Sequence, residues 1–186
     1  MAKTEQGARQ AGRGAAAALL TRQVAVALAL LAGLAMARAA GAQTTAVAAF
    51  GVFGPEPGEQ RAAVLDLQFR FTPRWWRIAP ALGAGANSRG GTFVYAGLSR
   101  DFPFAGRWNA NVTEAAAFYT PGNSKRLGRG IEFRSALEVG FLASSDVRIG
   151  LTVAHLSNAG IGDRNPGVET FTATIAWVPG RGVGRR

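Results

Sequence analysis

Residues 148–177 read R-I-G-L-T-V-A-H-L-S-N-A-G-I-G-D-R-N-P-G-V-E-T-F-T-A-T-I-A-W. Apolar residues recur at every second position at both ends of this stretch. Val147, Ile149, Leu151 and Val153 alternate with Arg148, Gly150 and Thr152. Phe171, Ala173, Ile175 and Trp177 alternate with Thr170, Thr172 and Thr174. A period of two is the mark of a β-strand with one apolar face. Between the two runs, Asn158–Val168 is rich in Gly, Asn, Asp and Pro, the chemistry of a loop. The stretch therefore reads as strand, loop, strand. Its sole histidine, His155, lies near the end of the first strand, Ser157 follows two residues later, and Glu169 opens the second strand.

The same texture extends back along the chain. Segments of about ten residues, closed by Gly, Pro, Asn or Ser, fall near 45–53, 61–71, 77–85, 92–101, 108–119, 131–142, 147–157 and 169–178. These eight segments are the candidate strands of one domain, 43–178. In the second, Leu65, Leu67 and Phe69 oppose Asp66, Gln68 and Arg70. In the sixth, Ile131, Phe133, Leu137, Val139 and Phe141 oppose Glu132, Arg134 and Glu138. The first, third and fourth alternate less cleanly.

One face of each clear strand is bulky and apolar, the other charged, small or hydroxylated. A soluble sandwich or lipocalin-like binder turns the apolar face inward. A membrane barrel turns it to lipid and fills its lumen with polar groups. Strands near ten residues, an even count and a leader favour the second. The expected fold is an all-β, eight-stranded antiparallel transmembrane β-barrel of the outer membrane. A barrel of that size has a lumen filled by side chains, and Asp66, Arg70, Glu132, Arg134, Glu138 and Arg148 are the residues to pair within it.

Residues 1–42 carry the marks of a signal peptide. Lys3, Arg9, Arg13 and Arg22 precede the uncharged run Val24–Ala37, and Ala40-Gly41-Ala42 stands before Gln43. A short membrane anchor is the competing reading. Residues 179–186 form a basic Gly/Arg tail. The chain's net charge of +10 is compatible with nucleic acid, an anionic membrane surface or nothing beyond solubility. There is no cysteine, so neither disulfides nor thiolate metal sites form. No nucleic-acid module, phosphate-binding Gly-rich loop or metal-ligand cluster is evident.

With both ends periplasmic, the turns near 72–76, 102–107 and 143–146 lie at the inner rim. Trp75, Trp76, Trp108 and Trp177 then share that rim, as an aromatic girdle does. Outer loops fall at 54–59, 86–91, 120–130 and 158–168. The third carries Lys125, Arg126 and Arg129, candidates for contact with lipopolysaccharide phosphate.

His155 and Ser157 share parity with Leu151 and Val153, and Glu169 with Phe171 and Ile175. All three are expected to point outward at the outer end, where an apolar residue is the norm. Consecutive antiparallel strands can bring Glu169 beside His155. An imidazole can serve as base for a serine hydroxyl, and a carboxylate can fix its tautomer. Asn158, or a backbone N–H near Gly160, is a candidate oxyanion donor. Asp163 is an alternative carboxylate, and an interfacial polar role without catalysis is the bland reading of the histidine.

H-L-S-N-A-G at 155–160, followed by N-P-G-V-E at 165–169, resembles the signature of the lipid A 3-O-deacylases (PagL family). The likeness is strongest from about 131 to 177. Leu156 departs from an aromatic residue frequent in the family. The resemblance implies an outer-membrane barrel that hydrolyses the ester-linked 3-hydroxyacyl chain at position 3 of lipid A, without metal or cofactor. By motif, Ser157 is the nucleophile, His155 the base and Glu169 the orienting acid, with Asn158, Gly160 and Asn165 as oxyanion or positioning residues. The partners implied are lipid A in the outer leaflet and the outer membrane itself, with a homodimer left open. A non-catalytic structural or adhesion barrel is the alternative.

Overall fold

The computed structural model describes residues 44–178 except Glu59 and Arg74. The signal-peptide and tail readings, 1–42 and 179–186, lie outside the described residues. Eight strands follow one another: β1 (Thr45–Phe53), β2 (Ala62–Arg70), β3 (Ile78–Asn87), β4 (Thr92–Phe104), β5 (Trp108–Thr120), β6 (Ile131–Leu142), β7 (Val147–Ser157) and β8 (Val168–Trp177). Each pairs antiparallel with the next, and β1 pairs with β8 to close a barrel. Closure leaves no sheet edge, so every strand finds its backbone partners within the wall. That is the condition for strands to cross a bilayer.

Register follows the two-residue period. On the outer face of β7 and β8, Val147 pairs with Trp177, Ile149 with Ile175, Leu151 with Ala173 and Val153 with Phe171. On β5 and β6, Trp108 pairs with Phe141, Val112 with Leu137 and Phe118 with Ile131. Apart from Phe141 and Val147, which are half-buried, these side chains are exposed, as are Phe50, Leu65, Leu82, Val94 and Leu98 around the wall. Water does not favour such a surface; hydrocarbon does. The barrel is therefore the lipid-spanning kind. Trp75, Trp76, Trp108 and Trp177 are all exposed at one rim, the rim expected above to be the inner one.

Inside, the lumen is divided. Arg134 Nη2 meets Asp66 Oδ2 at 2.7 Å and lies over the Tyr95 ring, whose hydroxyl donates to Asp66 Oδ1 at 3.0 Å. Glu138 holds Arg70 at 2.6 Å and Arg148 at 3.0 Å. Five of the six charges expected to pair do so; Glu132, fully buried, joins no ion pair among the described residues. Asp101 is added to the network, 3.5 Å from Arg148 Nη1.

Toward the outer end the filling changes to Phe53, Phe93, Tyr95, Tyr119, Leu127, Leu156 and Val168. This layer explains the weak alternation of β3 and β4. Gly83 and Gly85 face Tyr95 and Phe93 across the strand pair. A Cβ on either glycine would stand 2.1 or 2.2 Å from the ring opposite. Those rings fit inward only because the facing positions have no side chain.

Candidate active site

The motif residues sit at the outer end of β7 and β8. His155 pairs across the strands with Glu169, and its Nδ1 lies 2.8 Å from Glu169 Oε1. A carboxylate only accepts, so Nδ1 carries a proton, and in the neutral ring Nε2 is left as the acceptor. The two side chains are 48% and 34% exposed, on the face that otherwise meets lipid.

Ser157 pairs with Phe133 of β6, so it shares the outward wall. Yet it is only 9% exposed. Part of the cover is Gly167, the last residue before β8. A Cβ placed on Gly167 would stand 2.7 Å from His155 Cε1, 3.2 Å from Nε2 and 3.6 Å from Ser157 Cβ. The loop therefore lays bare backbone against the imidazole edge and the serine. Gly167 holds φ +57°, a conformation glycine adopts without Cβ strain. Among the described residues, neither Ser157 Oγ nor His155 Nε2 makes a hydrogen bond. Both are free to engage a substrate or each other.

The ten-residue loop is one residue shorter than its sequence suggests, because β8 begins at Val168 rather than Glu169. It is organised by Asn158, which is fully buried. Its Nδ2 donates to Leu127 O at 2.9 Å and Arg164 O at 2.7 Å, tying the last outer loop to the one before it. Its Oδ1 accepts from Gly160 N at 3.1 Å. Its own backbone N–H donates to Asn165 Oδ1 at 3.0 Å. The three residues picked out as oxyanion or positioning candidates are thus joined in one network. Two of the N–H groups concerned, those of Asn158 and Gly160, already have amide oxygens as partners. Asp163 is exposed in the loop, and it is Glu169 that meets the imidazole.

The basic loop divides. Lys125 and Arg126 line an open cleft of about 550 Å³ together with Arg164, Gln60, Asn123 and Pro166. Arg129 stands elsewhere, its side chain against Gly162 beside Asn158. Two contributors escape a reading by motif. Gly167 looks like an ordinary turn residue; its positive φ and contact with the imidazole appear only in three dimensions. Arg164 stands alone in its loop and joins Lys125 and Arg126 only through folding.

Residues 58–178, more than half of the chain, match the lipid A 3-O-deacylase (PagL) family. The chain belongs to this family. A curated member, the lipid A deacylase PagL of Bordetella bronchiseptica (strain ATCC BAA-588 / NCTC 13252 / RB50), is 40% identical over 53 residues. That stretch is 28% of this chain and spans only 30% of the relative. Among solved structures, the crystal structure of the outer membrane enzyme PagL superposes with a TM-score of 0.60. It is 18% identical, over 72% of this chain and 98% of that one. A de novo designed transmembrane β-barrel superposes at 0.51 with 12% identity, over 74% and 94%. At these identities the structures speak for the fold, the eight-stranded transmembrane barrel, which agrees with the lipid-facing wall described above.

Proposed function

We propose that the chain is an outer-membrane esterase that removes the ester-linked 3-hydroxyacyl chain at position 3 of lipid A. The observation that carries this reading is the 2.8 Å contact between His155 Nδ1 and Glu169 on a lipid-facing wall, two residues from Ser157. A histidine–carboxylate pair exposed to lipid is costly unless it meets a lipid substrate.

In the proposed reaction, Ser157 Oγ attacks the ester carbonyl while His155 Nε2 takes its proton. Glu169 stabilises the imidazolium and holds the ring's tautomer. Collapse breaks the bond to the sugar oxygen, which leaves with the proton from Nε2. Water, deprotonated by the same nitrogen, then frees the fatty acid and restores Ser157. Asn158 and Asn165 hold the loop beside the serine. An N–H of Asn158 or Gly160 reaches a developing oxyanion by exchanging its present partner. Lys125, Arg126 and Arg164 around their cleft, with Arg129 nearer the loop, suit contact with the phosphates of lipid A.

Mass spectrometry of lipid A from cells expressing the chain tests the reading. Loss of one 3-hydroxyacyl chain is expected, and Ser157→Ala or His155→Ala abolishes it. Unaltered lipid A in cells with folded, inserted wild-type barrel refutes the activity. Retained deacylation by both variants refutes the assignment of the site.

A further inference from the structure

The catalytic pair does not stand alone on the wall. His155 pairs with Ser135 of β6 on its other side, and Ser135 pairs with Glu114 of β5. Glu169, His155, Ser135 and Glu114 thus form one unbroken outward row across four strands. Ser135 Oγ donates to Glu114 Oε2 at 2.6 Å, and both residues are exposed. Their neighbours on the same face are apolar: Val112 with Leu137 on one side, Ala116 with Phe133 on the other. A carboxyl group in the middle of such a wall costs stability that an aliphatic residue would not.

The row also has a direction. Glu169 is one residue from the outer end of β8 and His155 two from that of β7. Ser135 is four from the outer end of β6, and Glu114 six from that of β5. The row descends from the rim into the depth of the wall, where acyl chains lie. Ser135 is one strand spacing from His155, roughly 5 Å between Cα atoms. The pair therefore sits just below the place where the scissile ester must meet Ser157.

The chemistry of the pair is one-sided. The only proton of Ser135 is spent on Glu114, so what the two offer a lipid is oxygen lone pairs. Such a site recognises a hydrogen-bond donor. The ester and methylene region of a glycerophospholipid has none. A hydroxylated acyl chain has one, close to its ester and on the hydrocarbon side of it. We infer that Glu114 and Ser135 form a specificity subsite that accepts a hydrogen bond from an acyl-chain hydroxyl of the substrate. This rests on the esterase reading and adds to it the feature by which hydroxyacylated lipid is told from phospholipid. The hydroxyl belongs either to the departing chain or to the neighbouring chain on the same sugar.

The test measures kcat/KM in detergent micelles for three diacyl glucosamines. The first carries a 3-hydroxyl on both chains, the second lacks it on the ester-linked chain, and the third lacks it on the neighbouring chain. The wild-type barrel is expected to prefer the first over one of the other two by about tenfold or more, the worth of a hydrogen bond to a charged group. Which substrate suffers identifies the chain that is read. In Ser135→Ala and in Glu114→Leu, whose apolar side chain suits a lipid-facing position, the same ratio falls to near one. A ratio that stays at its wild-type value in both variants overturns the inference, including when all three substrates are slowed alike. A wild-type barrel without preference among the three overturns it too, and leaves the esterase reading standing. If the folded wild-type barrel cleaves none of them, the esterase reading falls and the subsite with it.

Discussion

Placing a single methyl group on Gly167 should disable the site without replacing any of its three proposed catalytic residues. The Cβ of Gly167→Ala would stand 2.7 Å from His155 Cε1, whereas ordinary contact begins near 3.4 Å. The ring must therefore yield by about 0.7 Å. If it slides along its bond to Glu169, the 2.8 Å contact lengthens to about 3.5 Å, beyond a useful hydrogen bond. Misplacing a catalytic group by such a distance costs on the order of 10²-fold in rate. The alanine must also hold φ near +57°, at about 1–2 kcal/mol of backbone strain. Gly106→Ala, in the turn between β4 and β5 and away from the site, separates the two effects. Gly106 has φ +68° and nothing within 4 Å of an added Cβ, so it incurs the strain alone. Both variants should insert as heat-modifiable barrels of similar stability. In a micellar ester assay, Gly167→Ala should lose about a hundredfold in kcat/KM, and Gly106→Ala much less. Equal activity in the two variants, or near wild-type activity in Gly167→Ala, would refute the reasoning.

Other consequences follow from the same contacts. Glu169→Gln keeps the shape beside His155 but loses the charge that stabilises the imidazolium. A fall of about 10³-fold or more in kcat with little change in KM is expected, and a loss within threefold would contradict the proposed role. Asn158→Ala strips partners from Gly160 N, Leu127 O and Arg164 O. Groups that remain buried each cost about 1–3 kcal/mol. Limited proteolysis should nick residues 158–167 faster than in the wild type; an unchanged pattern would deny Asn158 its organising part. Asp66→Ala leaves Arg134 in the lumen without its carboxylate. A loss of about 3–5 kcal/mol in urea unfolding is expected, and a loss under about 1 kcal/mol would show that Tyr95 and solvent suffice for the arginine.

Strand number, most strand ends and the facing of the clear strands were open to the sequence because they depend on a local rule, although β3 and β4 run on to Asn87 and Phe104, past their expected ends at 85 and 101. Successive side chains alternate sides, and a barrel in lipid has a sharp contrast between its sides. That is why β6, β7 and β8 are legible from residues such as Ile131–Leu142 and Val147–Ser157. It is also why the sequence alone places His155, Ser157 and Glu169 on one wall. The rule weakens where the lumen is itself apolar. Phe93 and Tyr95 point inward because Gly83 and Gly85 lie opposite them, a pairing that depends on the register of two strands.

Closing the barrel decided the rest. It carried Arg134 to Asp66 and Arg70 to Glu138, each pair 68 residues apart. It brought Arg164 to the cleft of Lys125 and Arg126, and wrapped the loop from Asn158 to Gly167 so that bare backbone rests on His155 and covers part of Ser157. The polar row through Ser135 and Glu114 is likewise a property of four strands in register. The sequence by itself determined which side of the wall the residues of the clearly alternating strands take, because alternation needs no partner. Only the tertiary structure decided which residues of different strands meet, because register and closure are set by the whole barrel.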